Sequence, residues 1–140
     1  FALQLAQQRQ LPLHVEPRLR EIGFGDWEGR TSADIMARTP DALSRFWNDP
    51  VNHPAPRGES ITAFYERVAE AWLHWQKGAA GKRVLVVCHG GVIRMVLSEV
   101  MGIPIDRVFS AVSVPYACRT RVRVDQSDRG VFSCLQSHGS

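Results

Sequence analysis

Apolar positions along the chain recur with two different periods. After Ser60, the residues Ile61, Phe64, Tyr65, Val68, Trp72 and Trp75 fall three and four apart, which places them on one face of a helix. Ser60 supplies a capping oxygen at its start, and Gly78 stands just past its predicted end. "KRVLVVC" (82–88) shows no such period. A near-continuous apolar run is the pattern of a strand buried on both faces of a parallel sheet, so this segment is expected at the sheet's centre. "GVIRMVLSEVMG" (91–102) returns to a helical pattern closed by Gly102, with Pro104 and a short helical turn beyond it.

Shorter signals complete the path. "LPLHVEP" (11–17) predicts a strand closed by Pro17, followed by a loop over 18–30. Thr31 with Asp34 forms a capping-box pattern that opens a short helix over "SADIMAR", and Thr39 with Pro40 reads as the N-cap and first turn of a second. Residues 48–60 carry three prolines and read as a surface loop, and "CRTRVRVD" and "GVFSCLQ" flank "QSDRG" as a closing hairpin. Helices alternating with strands predict one α/β domain over residues 1–140. The expected architecture is a three-layer α/β/α domain around a mainly parallel central sheet, with its ligand site at the carboxyl ends of the strands.

Composition narrows the function classes. The chain has 140 residues, of which 44% are hydrophobic and 22% charged, enough for a soluble core. No window approaches the roughly 18 apolar residues of a membrane span, and no basic-then-apolar leader opens the sequence, so a cytoplasmic protein without a membrane partner is expected. Cys88, Cys118 and Cys134 are an odd number at unrelated spacings, which suggests reduced thiols and no zinc ribbon. The net charge of +3 comes without a long basic run or a nucleic-acid motif and suits a small anionic partner better than a duplex. The sequence starts without Met, at "FALQLAQQRQ", inside an amphipathic helical pattern, as a fragment would.

Candidate chemistry concentrates in "VVCHGGVIR" (86–94). A strand ending in His-Gly-Gly before a helix puts a side chain beside the exposed N–H groups of the helix's first turn, which is an anion site. The plain alternative makes His89 a turn residue and Gly90-Gly91 a tight connection. Cys88 and Arg94 also fit the C-x5-R pattern of cysteine-dependent phosphatases, with Asp49 of "WNDP" upstream as an acid. Val87 and Met95 depart from that pattern, and a thiol in an apolar run is expected to have a raised pKa and to be inert. An esterase oxyanion loop would need a G-x-S-x-G elbow, which "GESIT" lacks. The remaining reading pairs His89 with a carboxyl group. Glu21, in "REIGFGDWEG", is the candidate, and its simpler role is a surface salt bridge with Arg18 or Arg20.

Taken in order, "LREIGFGDWEG", "PRGES" and "VLVVCHGGVIR" resemble the histidine phosphatase superfamily, which includes the cofactor-dependent phosphoglycerate mutases. The resemblance covers nearly the whole chain and is greatest to the phosphatase branch that holds the α-ribazole phosphatases. It implies that Glu21 is the general acid, which protonates the leaving oxygen and then activates water. It implies that His89 binds the transferring phosphoryl group and stabilises its charge, with the Gly90 N–H as a further phosphate donor. No metal and no cofactor are implied. The substrate would be a small phosphorylated metabolite, and a homodimer is left open.

The family's nucleophile is the histidine of an Arg-His-Gly motif on the first strand, with a second phosphate-binding Arg in the following helix. Neither is in this sequence, and His14, His53, His74 and His138 lack that context. The expectation is therefore metal-independent phosphomonoester hydrolysis through a phosphohistidine, with the nucleophile and the first strand outside these residues. The alternatives are a phosphate-binding or structural remnant without turnover and, more distantly, a cysteine phosphatase using Cys88 and Arg94. Among the other residues, Arg119, Arg121 and Arg123 alternate on one strand face expected to be solvated. Trp27 is the tryptophan expected nearest a ligand, and Arg57 is expected in a solvated loop.

Overall fold

The computed structural model describes residues 1–79 and 81–140. Helix α1 (Ala2–Arg9) buries none of its residues and ends at Gln10 in the left-handed conformation. After it, residues 11–16 form no strand, and the chain enters a 3-10 turn at Pro17–Leu19 and a second at Gly25–Trp27. Helices α2 (Ser32–Arg38) and α3 (Pro40–Asn48) follow where the caps predict them. The Thr31–Asp34 capping box forms in both directions. Thr39 makes no side-chain cap; its hydroxyl donates back to the Ile35 carbonyl at 3.2 Å.

Helix α4 (Ile61–Gly78) begins at Ser60, whose Oγ accepts the Ala63 N–H at 3.1 Å, and buries Ile61, Phe64, Val68, Ala71 and Gln76. Gly78 is its last residue and not the one beyond it; Ala79 takes the cap position. Helix α5 (Gly90–Met101) starts directly after His89 and stops at Gly102, which adopts φ 66°. That left-handed backbone is accessible to glycine at little cost, which is why the helix ends there. Short α6 (Val108–Ala111) leads to the hairpin of β1 (Arg119–Ser127) and β2 (Gly130–Gly139), paired antiparallel with an irregularity between Arg121 and Val122. Arg119, Arg121 and Arg123 all lie on its exposed face, as their alternation predicts.

The core forms where α4 meets α5. Phe64 and Val68 from α4 and Val92 and Met95 from α5 are fully buried, joined by Ile22, Ile35, Phe46 and Val108. Phe46 sits among Phe24, Trp27, Trp47 and Phe109, all tilted edge-on to it with ring centroids 5.1–6.5 Å away. Edge-to-face pairs of this kind add about 0.5–1.5 kcal/mol each beyond area burial. Strand β2 packs on α5 and its Leu135 reaches the core cluster, while Gln76 donates to Ser133 Oγ at 2.5 Å to tie α4 to β2.

One expectation is corrected. "KRVLVVC" is not a central buried strand among the described residues: Val84, Leu85, Val86 and Val87 are 50%, 68%, 43% and 48% exposed. The segment "LPLHV" likewise forms no strand, and Leu11, Leu13 and Val15 are exposed. A strand exists only through hydrogen bonds to a neighbour, and the sole sheet among the described residues is the β1–β2 hairpin, whose strands pair with each other. The chain is α/β in content; the parallel sheet and its three layers are not formed among these residues.

Candidate active site

The two distant motifs meet at the N-terminus of α5. Half-buried Glu21 accepts the Gly91 N–H on Oε2 at 2.9 Å and its neighbour's N–H, from Ile22, on Oε1 at 2.9 Å. A helix N-terminus carries unpaired N–H groups and a positive dipole end, so a carboxylate placed there is stabilised. The close approach requires glycine at position 91. A Cβ there would run into Glu21 Oε1 and lie 3.0 Å from Glu21 Cδ and 3.1 Å from Phe64 Cε1. The salt bridge expected as the simpler role of Glu21 forms with neither arginine: Arg18 pairs with Glu16 and Glu70, each at 2.8 Å, and Arg20 makes no salt bridge among the described residues.

His89 is the N-cap of α5, with extended backbone at φ −115° and ψ 170°. Its carbonyl accepts the Ile93 N–H at 3.1 Å, and the residue is exposed. Gly90 and Gly91 then form the first turn, so the acid, the histidine and the glycine amides share one helix end.

"PRGES" does not reach His89 by any hydrogen bond among the described residues; it clamps the loop that carries Glu21. Asp26 donates its N–H to the Pro56 carbonyl at 2.9 Å and Glu59 donates its N–H to the Gly23 carbonyl at 2.7 Å. The Gly23 N–H donates to Glu59 Oε2 at 3.1 Å, and Arg57 pairs with Asp26. Gly25, at φ 53°, brings the two loops so close that a Cβ would meet the backbone of Pro56 and Arg57. Behind them stands Arg67 of α4, which the motif reading missed. It donates to Glu59 Oε1 at 2.6 Å and Oε2 at 2.7 Å, and to the carbonyls of Arg18, Arg20 and Glu21 at 2.7, 2.8 and 3.0 Å. Arg67 lies eight residues after Glu59 and beside the apolar face of the predicted helix, a position that does not by itself mark it as a partner of the acid loop.

The cysteine-phosphatase alternative loses its parts. Burial, followed by the negative charge of Glu21, pushes the Cys88 thiol up to about 11, which leaves it protonated at neutral pH. Asp49 caps the end of α3 and accepts bonds from Asn52 at 3.2, 3.1 and 2.9 Å. Arg94 is half-buried, donates Nε to the Val112 carbonyl at 3.2 Å and lies over the Phe109 ring at 5.6 Å. Desolvation lowers its pKa and the charge of Glu21 opposes that shift. All three cysteines are free. Trp27 is buried and lines a cavity of about 390 Å³ with Asp26, Arg30, Arg38 and Arg57, while Trp47 is exposed.

Comparison with known proteins gives these loops their context. Residues 1–134 match the family model described as the histidine phosphatase superfamily, branch 1. The chain belongs to the histidine phosphatase superfamily. It is 30% identical over 118 residues to the adenosylcobalamin/alpha-ribazole phosphatase of Escherichia coli, covering 84% of this chain and 58% of that protein. Identity to the glucosyl-3-phosphoglycerate phosphatase of Mycolicibacterium vanbaalenii is 28% over 113 residues, 75% of this chain and 49% of that one. Among solved structures, Bacillus stearothermophilus YhfR superposes with a TM-score of 0.82 at 29% identity, over 96% of this chain and 68% of the other. The alpha-ribazole phosphatase of Shigella flexneri gives 0.75 at 29% identity, over 97% and 65%. This histidine phosphatase chain thus spans about half to three fifths of the length of those two relatives. No helix among its described residues is long and apolar enough to cross a membrane.

Proposed function

We propose that this chain carries the acid and phosphate-binding part of a metal-independent phosphomonoesterase that works through a phosphohistidine. The observation that carries the reading is the 2.9 Å bond from the Gly91 N–H to Glu21 Oε2, which seats the acidic loop on the helix end that follows His89. In this scheme His89 and the Gly90 N–H hold the phosphoryl group and balance its charge. A histidine outside these residues attacks phosphorus as the ester oxygen leaves, and Glu21 gives that oxygen its proton. The Glu21 carboxylate then takes a proton from water as the water attacks the phosphohistidine, releasing phosphate and restoring both groups.

The substrate class is a small phosphorylated metabolite, with α-ribazole phosphate a candidate because relatives named for that activity match over most of this chain. The family's further strand, expected between or beside 11–15 and 82–88, would complete a mainly parallel sheet and bury the apolar residues now exposed there. A single domain with a three-layer arrangement follows from that completion.

The lack of an Arg-His-Gly motif in these 140 residues supports a second reading, a phosphate-binding remnant without turnover. An assay on an aryl phosphate and a panel of sugar phosphates separates the two. For the enzyme, His89→Ala and Glu21→Gln each reduce turnover by about 10²-fold or more, and EDTA has no effect. Inhibition by EDTA, or full activity after both substitutions, would sink the scheme. A native mass of 15.7 kDa, with phosphate bound and no turnover, would establish the remnant.

A further inference from the structure

Arg67 makes five hydrogen bonds, one for every N–H of its guanidinium. Two go to Glu59 as a bidentate pair, with both side chains only 15% exposed. The other three go to the backbone carbonyls of Arg18, Arg20 and Glu21 itself. Glu59 turns its second oxygen to the Gly23 N–H, so the pair grips the acid loop on both sides of Glu21. The guanidinium also lies over the Phe64 ring, 4.7 Å from its centroid, and Phe64 is the side chain against which Gly91 packs.

These contacts close a circuit. Arg67 and Phe64 are one turn apart on α4; Phe64 bounds the space for Gly91; Gly91 holds the Glu21 carboxyl group; and the Glu21 carbonyl returns to Arg67. Glu21 has no salt bridge among the described residues, and its carboxyl group is held by two backbone N–H groups, those of Ile22 and Gly91, so whether it reaches α5 depends on where its own backbone lies. That backbone carries few regular hydrogen bonds, since it lies between two 3-10 turns and belongs to no helix or strand. Without an external anchor the loop would lose the carboxylate's aim at α5.

We propose that Arg67, with Glu59, is the positioning device for Glu21, holding its carboxyl group on the α5 N-terminus. Neither residue touches the reacting atoms. The inference rests on the reading of Glu21 as the acid only for its catalytic consequence; the placement itself is measurable without turnover. Lysine cannot replace Arg67, because an ammonium has three donors at one point and cannot span a carboxylate and three carbonyls. Glu59 serves as the anion that fixes the plane of the fork, and the Arg67 hydrogen bond holds its carboxyl group below the ordinary glutamate range.

The test uses the full-length protein that contains this chain, with Arg67→Lys, Glu59→Gln and, in parallel, Glu21→Gln. Hydrogen exchange of the Gly91 amide reports the Glu21 bond directly. In Arg67→Lys it is expected to accelerate about tenfold or more relative to amides in the middle of α4. On an aryl phosphate, kcat should fall by roughly 10- to 100-fold with KM within about twofold, because the phosphate-binding groups are untouched. Glu59→Gln should move both readouts the same way by less, and it serves in place of Arg67→Lys should the lysine variant not fold. A folded variant with wild-type Gly91 exchange and kcat would overturn the proposal. So would uniform acceleration across α4 and α5, which is the mark of a merely structural role. If Glu21→Gln leaves kcat unchanged while Arg67→Lys still frees the Gly91 amide, the acid assignment fails and the positioning stands.

Discussion

Glu21 Oε2 and the Gly91 nitrogen lie 2.9 Å apart across 70 residues of sequence, and this bond is what turns two separate motifs into one site. It places a carboxyl group at the positive end of α5, directly after His89, the histidine proposed to hold the phosphoryl group.

Gly91→Ala tests that relationship by space alone. The added Cβ has no room beside Glu21 and Phe64, so the carboxylate must leave the helix end. We expect a stability loss of about 1–3 kcal/mol in urea unfolding. Turnover of the full-length protein should fall by about 10²-fold or more. Gly90→Ala meets the end of the Arg94 side chain at 3.4 Å and Val114 at 3.8 Å, both ordinary contacts, so its stability loss should be clearly smaller.

Cys88 gives a prediction in pH. Its thiol is held near 11 in the folded chain against an ordinary value of 9.0, so the unfolded state ionises first. Stability should be undiminished by this group below pH 9 and should fall as pH rises from there toward 11. Cys88→Ser removes that component of the slope, readable as the difference between the two melting curves over the alkaline range. The same variant should keep nearly full turnover; loss of activity would return the thiol to the chemistry.

The two threonine caps separate pattern from structure. Thr31 closes a capping box with Asp34 in both directions, and Thr31→Ala should cost about 1 kcal/mol. Thr39 donates its hydroxyl to the Ile35 carbonyl at the end of α2 and makes no side-chain cap on α3, so Thr39→Ala should cost about 0.5 kcal/mol or less by the same denaturation measurement.

Leu85→Lys reports on the run 82–88. Leu85 is 68% exposed, and in the 140-residue chain the substitution should change stability by no more than about 0.5 kcal/mol while improving solubility. In a full-length protein whose further strand covers this run, the same lysine should cost at least about 2 kcal/mol. Equal, small effects in both would argue against the completed parallel sheet.

Local features were legible in the sequence because their causes are local. The capping box at Thr31, the Ser60 cap, the spacing of Ile61, Phe64 and Val68, the stop at Gly102 and the closing hairpin each depend on residues a few positions apart. The motif order identified the family, and the apolar context of Cys88 foretold its raised thiol. What sequence could not decide were relations between distant segments. The burial of "KRVLVVC" depends on neighbouring strands, because an apolar run states a preference for burial and not the presence of a partner. The role of "PRGES" as a clamp, the five bonds of Arg67 and the seat of Glu21 on Gly91 arise only when the acid loop packs on α4 and on the start of α5. Hydrogen-bond partners tens of residues apart leave no periodic trace in a single sequence, so tertiary structure alone assigns them.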